Sequence, residues 1–154
     1  MSLMPNTYTQ LYVQIVFAEK GRENVISETI RGIEKYITGI VQNKKHKLFA
    51  IYCMPDHLHL FLGMKPDMAV SDLVRIIKSE STKFINDNKL VSGKFAWQEG
   101  FGAFSYSESQ IDTVVNYVLH QPEHHKQKSF KEEYVTFLKR FNIEYNKKYL
   151  FDWI

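Results

Sequence analysis

Residues 48–64 read LFAIYCMPDHLHLFLGM, and the reading of this stretch decides the fold. Two apolar, β-rich runs flank Pro55-Asp56, a pair suited to a tight turn, so the stretch predicts a hairpin with strands over 48–54 and 57–64. Side chains alternate across a strand. Leu58, Leu60 and Leu62 therefore share one face, and His57, His59 and Phe61 share the other. The leucines are an ordinary core face, but a buried strand has no need of the two imidazoles.

The flanking elements place this hairpin in a fold. Upstream, TQLYVQIVFA (9–18) alternates as a strand and EKGREN follows as a charged turn. Ile30, Ile33, Tyr36, Ile37 and Ile40 then mark a helix to about Val41, with Ser27 as its cap. Downstream, Val70, Leu73, Val74, Ile76, Ile77 and Phe84 mark a helix over about 69–88. GKFAWQEGFGAFSYS (93–107) reads as an aromatic, glycine-punctuated loop leading to a strand near 101–106. Ser107 caps a third helix over 108–121, which Pro122 stops, and 122–154 is a tail with one or two short helices. The first six elements, β-α-β-β-α-β, predict an α+β, ferredoxin-like fold: a four-stranded antiparallel sheet with two helices on one face. The additional C-terminal helix and the tail are left to cover the other face.

The 154 residues are expected to form one domain, 44% hydrophobic and 14% aromatic, with no repeat or low-complexity segment. The second methionine, Met4, leaves residues 1–7 as a disordered or expression-derived N-terminus. The single cysteine, Cys53, excludes an internal disulfide, reads as a small buried hydrophobe and fits a reducing cytosol. No apolar stretch approaches the roughly 20 residues of a membrane span. The net charge of +3 permits a polyanionic partner without demanding one.

Histidines at i and i+2 on a strand lie about 6.5–7 Å apart at Cα, which lets two ring nitrogens converge on one cation about 2.1 Å from each. Asp56 is placed to orient one imidazole. Two ligands do not complete a site, so a further residue must face them. On the third helix, Ile111, Val114, Val115, Val118 and Leu119 form the expected buried stripe, and Tyr117 points away from it with Gln121 one turn on. A neutral phenol is a poor nucleophile near neutral pH but can attack a phosphodiester if a metal polarises the phosphate, and Gln121 offers a hard oxygen suited to Mg²⁺ or Mn²⁺.

The motif His57-Leu58-His59, followed by YVLHQ at 117–121, resembles the single-tyrosine HUH transposases of the insertion sequence 200/605 family and its relatives associated with repetitive palindromes. FAWQEGFGAFSYS, LVRIIKSESTKFIN, HHKQKSFKEEYVTFLKRFNIEY and YLFDW also look like family segments, and the resemblance runs from about Tyr8 to Trp153. Phe101 stands where a tyrosine is expected, at a position not assigned to catalysis. The resemblance implies that Tyr117 is the catalytic nucleophile, forming a 5′-phosphotyrosine bond and releasing a 3′-OH. It implies that His57, His59 and Gln121 hold one divalent metal, Mg²⁺ or Mn²⁺. It further implies a prokaryotic cytoplasmic DNA transposase acting as a homodimer on single-stranded DNA hairpins, with active sites shared between subunits in some members.

Candidate DNA contacts are Arg75, Lys78 and Lys83 on the second helix and Lys44, Lys45 and Lys47 after the first, with Trp97 and Phe95 as stacking surfaces for unpaired bases. His120, His124 and His125 read as helix-end polar residues. Two other functions share these features. One is a domesticated nickase of repetitive palindromes, which keeps the chemistry. The other is a non-catalytic single-stranded nucleic-acid-binding module, which binds without metal and does not cleave.

Overall fold

The computed structural model describes residues 6–20, 27–126 and 128–146. The elements run β1 (Tyr12–Ala18), α1 (Ser27–Asn43), β2 (Lys47–Cys53), β3 (His57–Gly63), α2 (Val70–Asp87), β4 (Gly102–Tyr106), α3 (Ile111–Leu119), α4 (Gln121–His124) and α5 (Phe130–Arg140). The strands form one antiparallel sheet in the order β2-β3-β1-β4, the ferredoxin-like arrangement expected from the sequence. The turn 19–24 lies largely, and the segment YLFDW wholly, outside the described residues.

The hairpin forms as its sequence implies, with Cys53 paired to Leu58 and a register shift between Leu48 and Ala50. Leu58, Leu60 and Leu62 join Ile15 and Phe17 in a core closed by Ile33 and Ile37 of α1 and Leu73, Ile77 and Ile85 of α2. Cys53 is buried there, and burial pushes its thiol up to about 12, so it is an inert packing residue.

The opposite sheet face is covered from within the chain. Val114 and Val118 of α3 pack on Ala50 and Phe61, and Phe130, Phe137 and Leu138 of α5 pack on Val16, Ala18 and Phe104. The buried strand β3 thus lies between two helical layers.

The third helix differs from its expected form. Ser107 does cap it, through a capping box with Gln110, but the first turn, Glu108–Gln110, is a 3-10 turn. The helix ends at Leu119, His120 leaves helical geometry, and a new short helix starts at Gln121 with Pro122 in its first turn. Proline suits a first helical turn because the N–H it lacks is unpaired there anyway. Pro122 therefore restarts the chain rather than stopping it, and this redirection lets α5 fold back over the sheet. Leu119, expected in the buried stripe, is 46% exposed because the helix stops before its face reaches the sheet.

The loop before β4 is anchored inward. Phe95 is buried and its backbone is clamped by the Asn86 side chain. Trp97 Nε1 donates to Ser81 Oγ at 2.9 Å, and its ring meets Phe17 and Phe95 edge to face. These two aromatics hold the loop to the core, so the expectation that they stack on bases is corrected.

Gly102 starts β4 beneath α5. A Cβ there would lie 2.8 Å from the Tyr134 ring and 3.0 Å from the Phe104 ring. Gly102→Ala is expected to destabilise the chain by about 1–3 kcal/mol, the usual cost of overpacking, measured by chemical denaturation. A variant as stable as the parent would show that α5 is not seated on this strand.

Candidate active site

The histidine face of β3 opens onto a cluster drawn from four elements. His57 and His59 are 1% and 0% exposed. His57 Nδ1 donates to Asp56 Oδ1 at 2.7 Å, as the turn aspartate's position suggested, and its ring stacks on Phe130. His59 Nδ1 donates to Gln14 Oε1 at 2.7 Å, and Gln14 Nε2 in turn donates to the Tyr106 hydroxyl. Both rings therefore turn Nε2 toward the same point.

Gln121, fully buried at the start of α4, directs its carbonyl oxygen to that point. Its Oε1 lies 3.4 Å from His57 Nε2 and 3.0 Å from His125 Nε2, while its Nε2 donates to the Tyr117 carbonyl. Glu133 enters from α5. Its Oε1 is 3.0 Å from His59 Nε2, 3.3 Å from His125 Nε2 and 3.8 Å from His57 Nε2. The Tyr117 hydroxyl donates a short hydrogen bond to Glu133 Oε2. The Tyr117 ring lies 5.8 Å from that of His59 and stacks on His124. One chain thus brings the tyrosine to its own histidines.

The electrostatics follow from burial and this crowding. Burial lowers the His59 imidazole to about 4, against the opposing pull of Glu133. Burial alone would raise the Glu133 carboxyl, but its hydrogen bonds with His125 and with the Tyr117 hydroxyl hold it well below the usual range. Burial, then the Glu133 charge, pushes the Tyr117 phenol above its ordinary value, so it is protonated near neutral pH.

A neutral imidazole that donates through Nδ1 presents a lone pair at Nε2. His57 and His59 therefore aim lone pairs at oxygens of Gln121 and Glu133, which are also acceptors. A cation among them turns that repulsion into coordination. The spacings fit one: ligands about 2.1 Å from a shared ion lie about 3.0 Å apart at 90° and about 3.4 Å apart at the tetrahedral angle.

Sequence reasoning missed Glu133 and Gln14 and set His125 aside as a helix-end residue; the structure corrects this and places His125 in the cluster. The signals for the first two were present. Phe130, Glu133, Phe137 and Leu138 form the buried stripe of α5, so Glu133 is a charge on an apolar face. Gln14 is a buried polar residue in a largely buried strand. His120 does cap a helix end, with Nδ1 on the Asn116 carbonyl.

The basic residues proposed from sequence are not gathered here. Arg75, Lys78 and Lys83 lie on α2, across the sheet from the histidines. Lys78 donates to the Gln98 and Gly100 carbonyls, and Arg75 and Lys83 pair with Asp72 and Asp87. Lys44, Lys45 and Lys47 sit at the end of the hairpin where Lys47 pairs with Gly63, the strand end opposite His57. A cavity of about 470 Å³ beside Tyr117 is lined instead by Lys128 and Arg140, with Glu123, His124, Thr136 and Phe137.

The ferredoxin-like sheet thus carries the HUH motif on β3 and a tyrosine on the helix after its last strand. Residues 7–121 match the family of IS200-like transposases, and the chain belongs to that family. It is 25% identical over 119 residues to the ISDra2 transposase TnpA of Deinococcus radiodurans, covering 73% of this chain and 84% of that one. Its fold is similar to a crystal structure from Deinococcus radiodurans R1 described as a transposase (TM-score 0.60, 22% identity, 79% of this chain and 98% of that chain). It is also similar to a REP-associated tyrosine transposase bound to a REP hairpin (TM-score 0.59, 17% identity, 81% and 74%). Among the described residues, no helix is long and apolar enough to cross a membrane.

Proposed function

We propose that this chain, as a single transposase domain, cleaves and rejoins single-stranded DNA beside a hairpin through a covalent bond to Tyr117. The observation that carries the reading is the convergence of the Tyr117 hydroxyl with His57, His59 and Gln121 around one buried point within one chain. The Tyr117 oxygen attacks the scissile phosphorus, a phosphotyrosine ester forms on the 5′ side, and the 3′ oxygen departs and takes up a proton. The phenolic proton faces Glu133 Oε2, which already accepts its hydrogen bond. A divalent ion held by His57, His59 and Gln121 would withdraw electron density from the phosphate. The ester conserves the energy of the broken bond, so a second 3′-OH displaces the tyrosine without ATP.

The hairpin partner is supported by the similar structure that holds a REP hairpin. A homodimer is retained from the family resemblance, with cleavage assigned to each chain's own tyrosine because the site needs no residue from a second copy. The test uses labelled single-stranded hairpin DNA from the gene's own flanks. A denaturing gel is expected to show an adduct with Mn²⁺, more weakly with Mg²⁺ at low metal, and none in excess EDTA. Full activity in EDTA would refute the metal, and binding without any adduct would leave only a binding module.

Lys128 and Arg140 line the cavity that adjoins Tyr117, and this reading makes them the phosphate contacts. Replacing either with alanine is expected to weaken DNA binding and to reduce the slope of log affinity against log salt by about 0.7, the value for one phosphate contact on a single strand. The same replacement at Lys44 is expected to change the slope little. The opposite ranking would place the DNA on the other end of the hairpin.

A further inference from the structure

We infer that His125 and Glu133, which lie beyond the family-matched residues 7–121, are ligands of the same cation, and that the centre is built for a first-row transition ion rather than Mg²⁺. The inference rests on the reading above and extends its ligand set. His57, His59, His125 and Glu133 each offer one ligating atom, and all four atoms lie within 4.8 Å of one another. Atoms on opposite sides of a shared ion lie about 4.2 Å apart, so the cluster needs to close by only a few tenths of an ångström to reach coordination size. Gln121 Oε1 adjoins the same nitrogens.

Chance packing explains this poorly. Glu133 is a carboxylate with 4% exposure on the apolar stripe of α5, where a charge is costly unless fully partnered. It spends one oxygen on three imidazole nitrogens and the other on the tyrosine hydroxyl. His125 does not project from a helix end into solvent; its ring packs 4.6 Å from His57. The helix break at His120 separates the Tyr117 helix from the segment that carries both residues.

The donor set decides the metal. Three imidazoles with one carboxylate favour Mn²⁺, Fe²⁺, Co²⁺ or Zn²⁺, whereas Mg²⁺ prefers oxygen ligands and keeps several waters. The remaining Glu133 oxygen ties the nucleophile to the centre, so α5 positions Tyr117 as well as covering the sheet.

The experiment reads metal binding on the full chain without DNA. Mn²⁺ titration followed by electron paramagnetic resonance should show one site. His125→Ala and Glu133→Gln should each weaken it about tenfold or more, while Tyr117→Phe should leave it within about threefold. Pulsed measurement on the bound ion should count three imidazole nitrogens in the parent and two in His125→Ala. This count holds even if the Glu133 variant fails to fold. Two imidazoles in the parent, or affinity indifferent to both substitutions, would overturn the inference while leaving the function reading intact. A parent chain that binds no Mn²⁺ would overturn the inference and the metal part of the reading, and the Tyr117 adduct assay would still judge the rest.

Discussion

Tyr117→Phe is expected to abolish the covalent protein–DNA adduct while the chain remains folded. Removing an attacking group from a catalytic unit costs about 10³-fold or more in rate, because the remaining groups can only bind and polarise. The hydroxyl is the one atom lost, and the ring keeps its stack on His124 and its edge contact with His59. Glu133 loses one donor but keeps its contact with His125. The stability cost is therefore that of one hydrogen bond to a charged group, about 1.5–3 kcal/mol. A denaturing gel measures the adduct and thermal unfolding measures the fold. An adduct that persisted would move the nucleophile away from Tyr117.

The second large effect separates the two strand histidines. Both alanine variants are expected to lose adduct formation, but His59→Ala should cost about 3–5 kcal/mol of stability, the combined cost of leaving two buried polar groups, one of them charged, short of a partner. Its removal strands Gln14 Oε1 and weakens the hold on Glu133, both nearly inaccessible to water. At about 2–4 °C per kcal/mol for a chain of this size, the melting temperature should fall by about 6–20 °C. His57 hands Nδ1 to Asp56, whose side chain is 39% exposed and can turn to water, so His57→Ala should lose clearly less. Equal losses would show that the Gln14–His59–Glu133 chain does not hold the layers together.

These predictions rest on features that differed in how plainly the sequence displayed them. The hairpin was legible because LFAIYCM and HLHLFL alternate and Pro55-Asp56 allows little besides a turn. The face assignment followed from strand geometry alone, and the structure places leucines and histidines as that geometry requires. Tyr117 and Gln121 were legible as a pair four residues apart, although one helix was expected where the chain makes two. That break was hidden because a proline after a helical run reads equally as a stop or a restart. Glu133 stayed hidden for a different reason. KEEY reads as a solvated helix start, and Glu132 does serve the Ser129 capping box, so Glu133 was read with its neighbour although the stripe of Phe130, Phe137 and Leu138 sets it on the apolar face. The basic residues beside the site, Lys128 and Arg140, share the segment HHKQKSFKEEYVTFLKRFNIEY, but only the docking of α5 shows that they face Tyr117.

The reach of the His59–Glu133 contact, 74 residues along the chain, has a consequence for the order in which the cluster forms during synthesis. Domains fold as their residues emerge during synthesis. A nascent chain still short of α5 already displays the sheet, both strand histidines and Tyr117, yet lacks the carboxylate and third imidazole that gather them. The cluster is therefore gathered only once α5 has been made and has docked on the sheet.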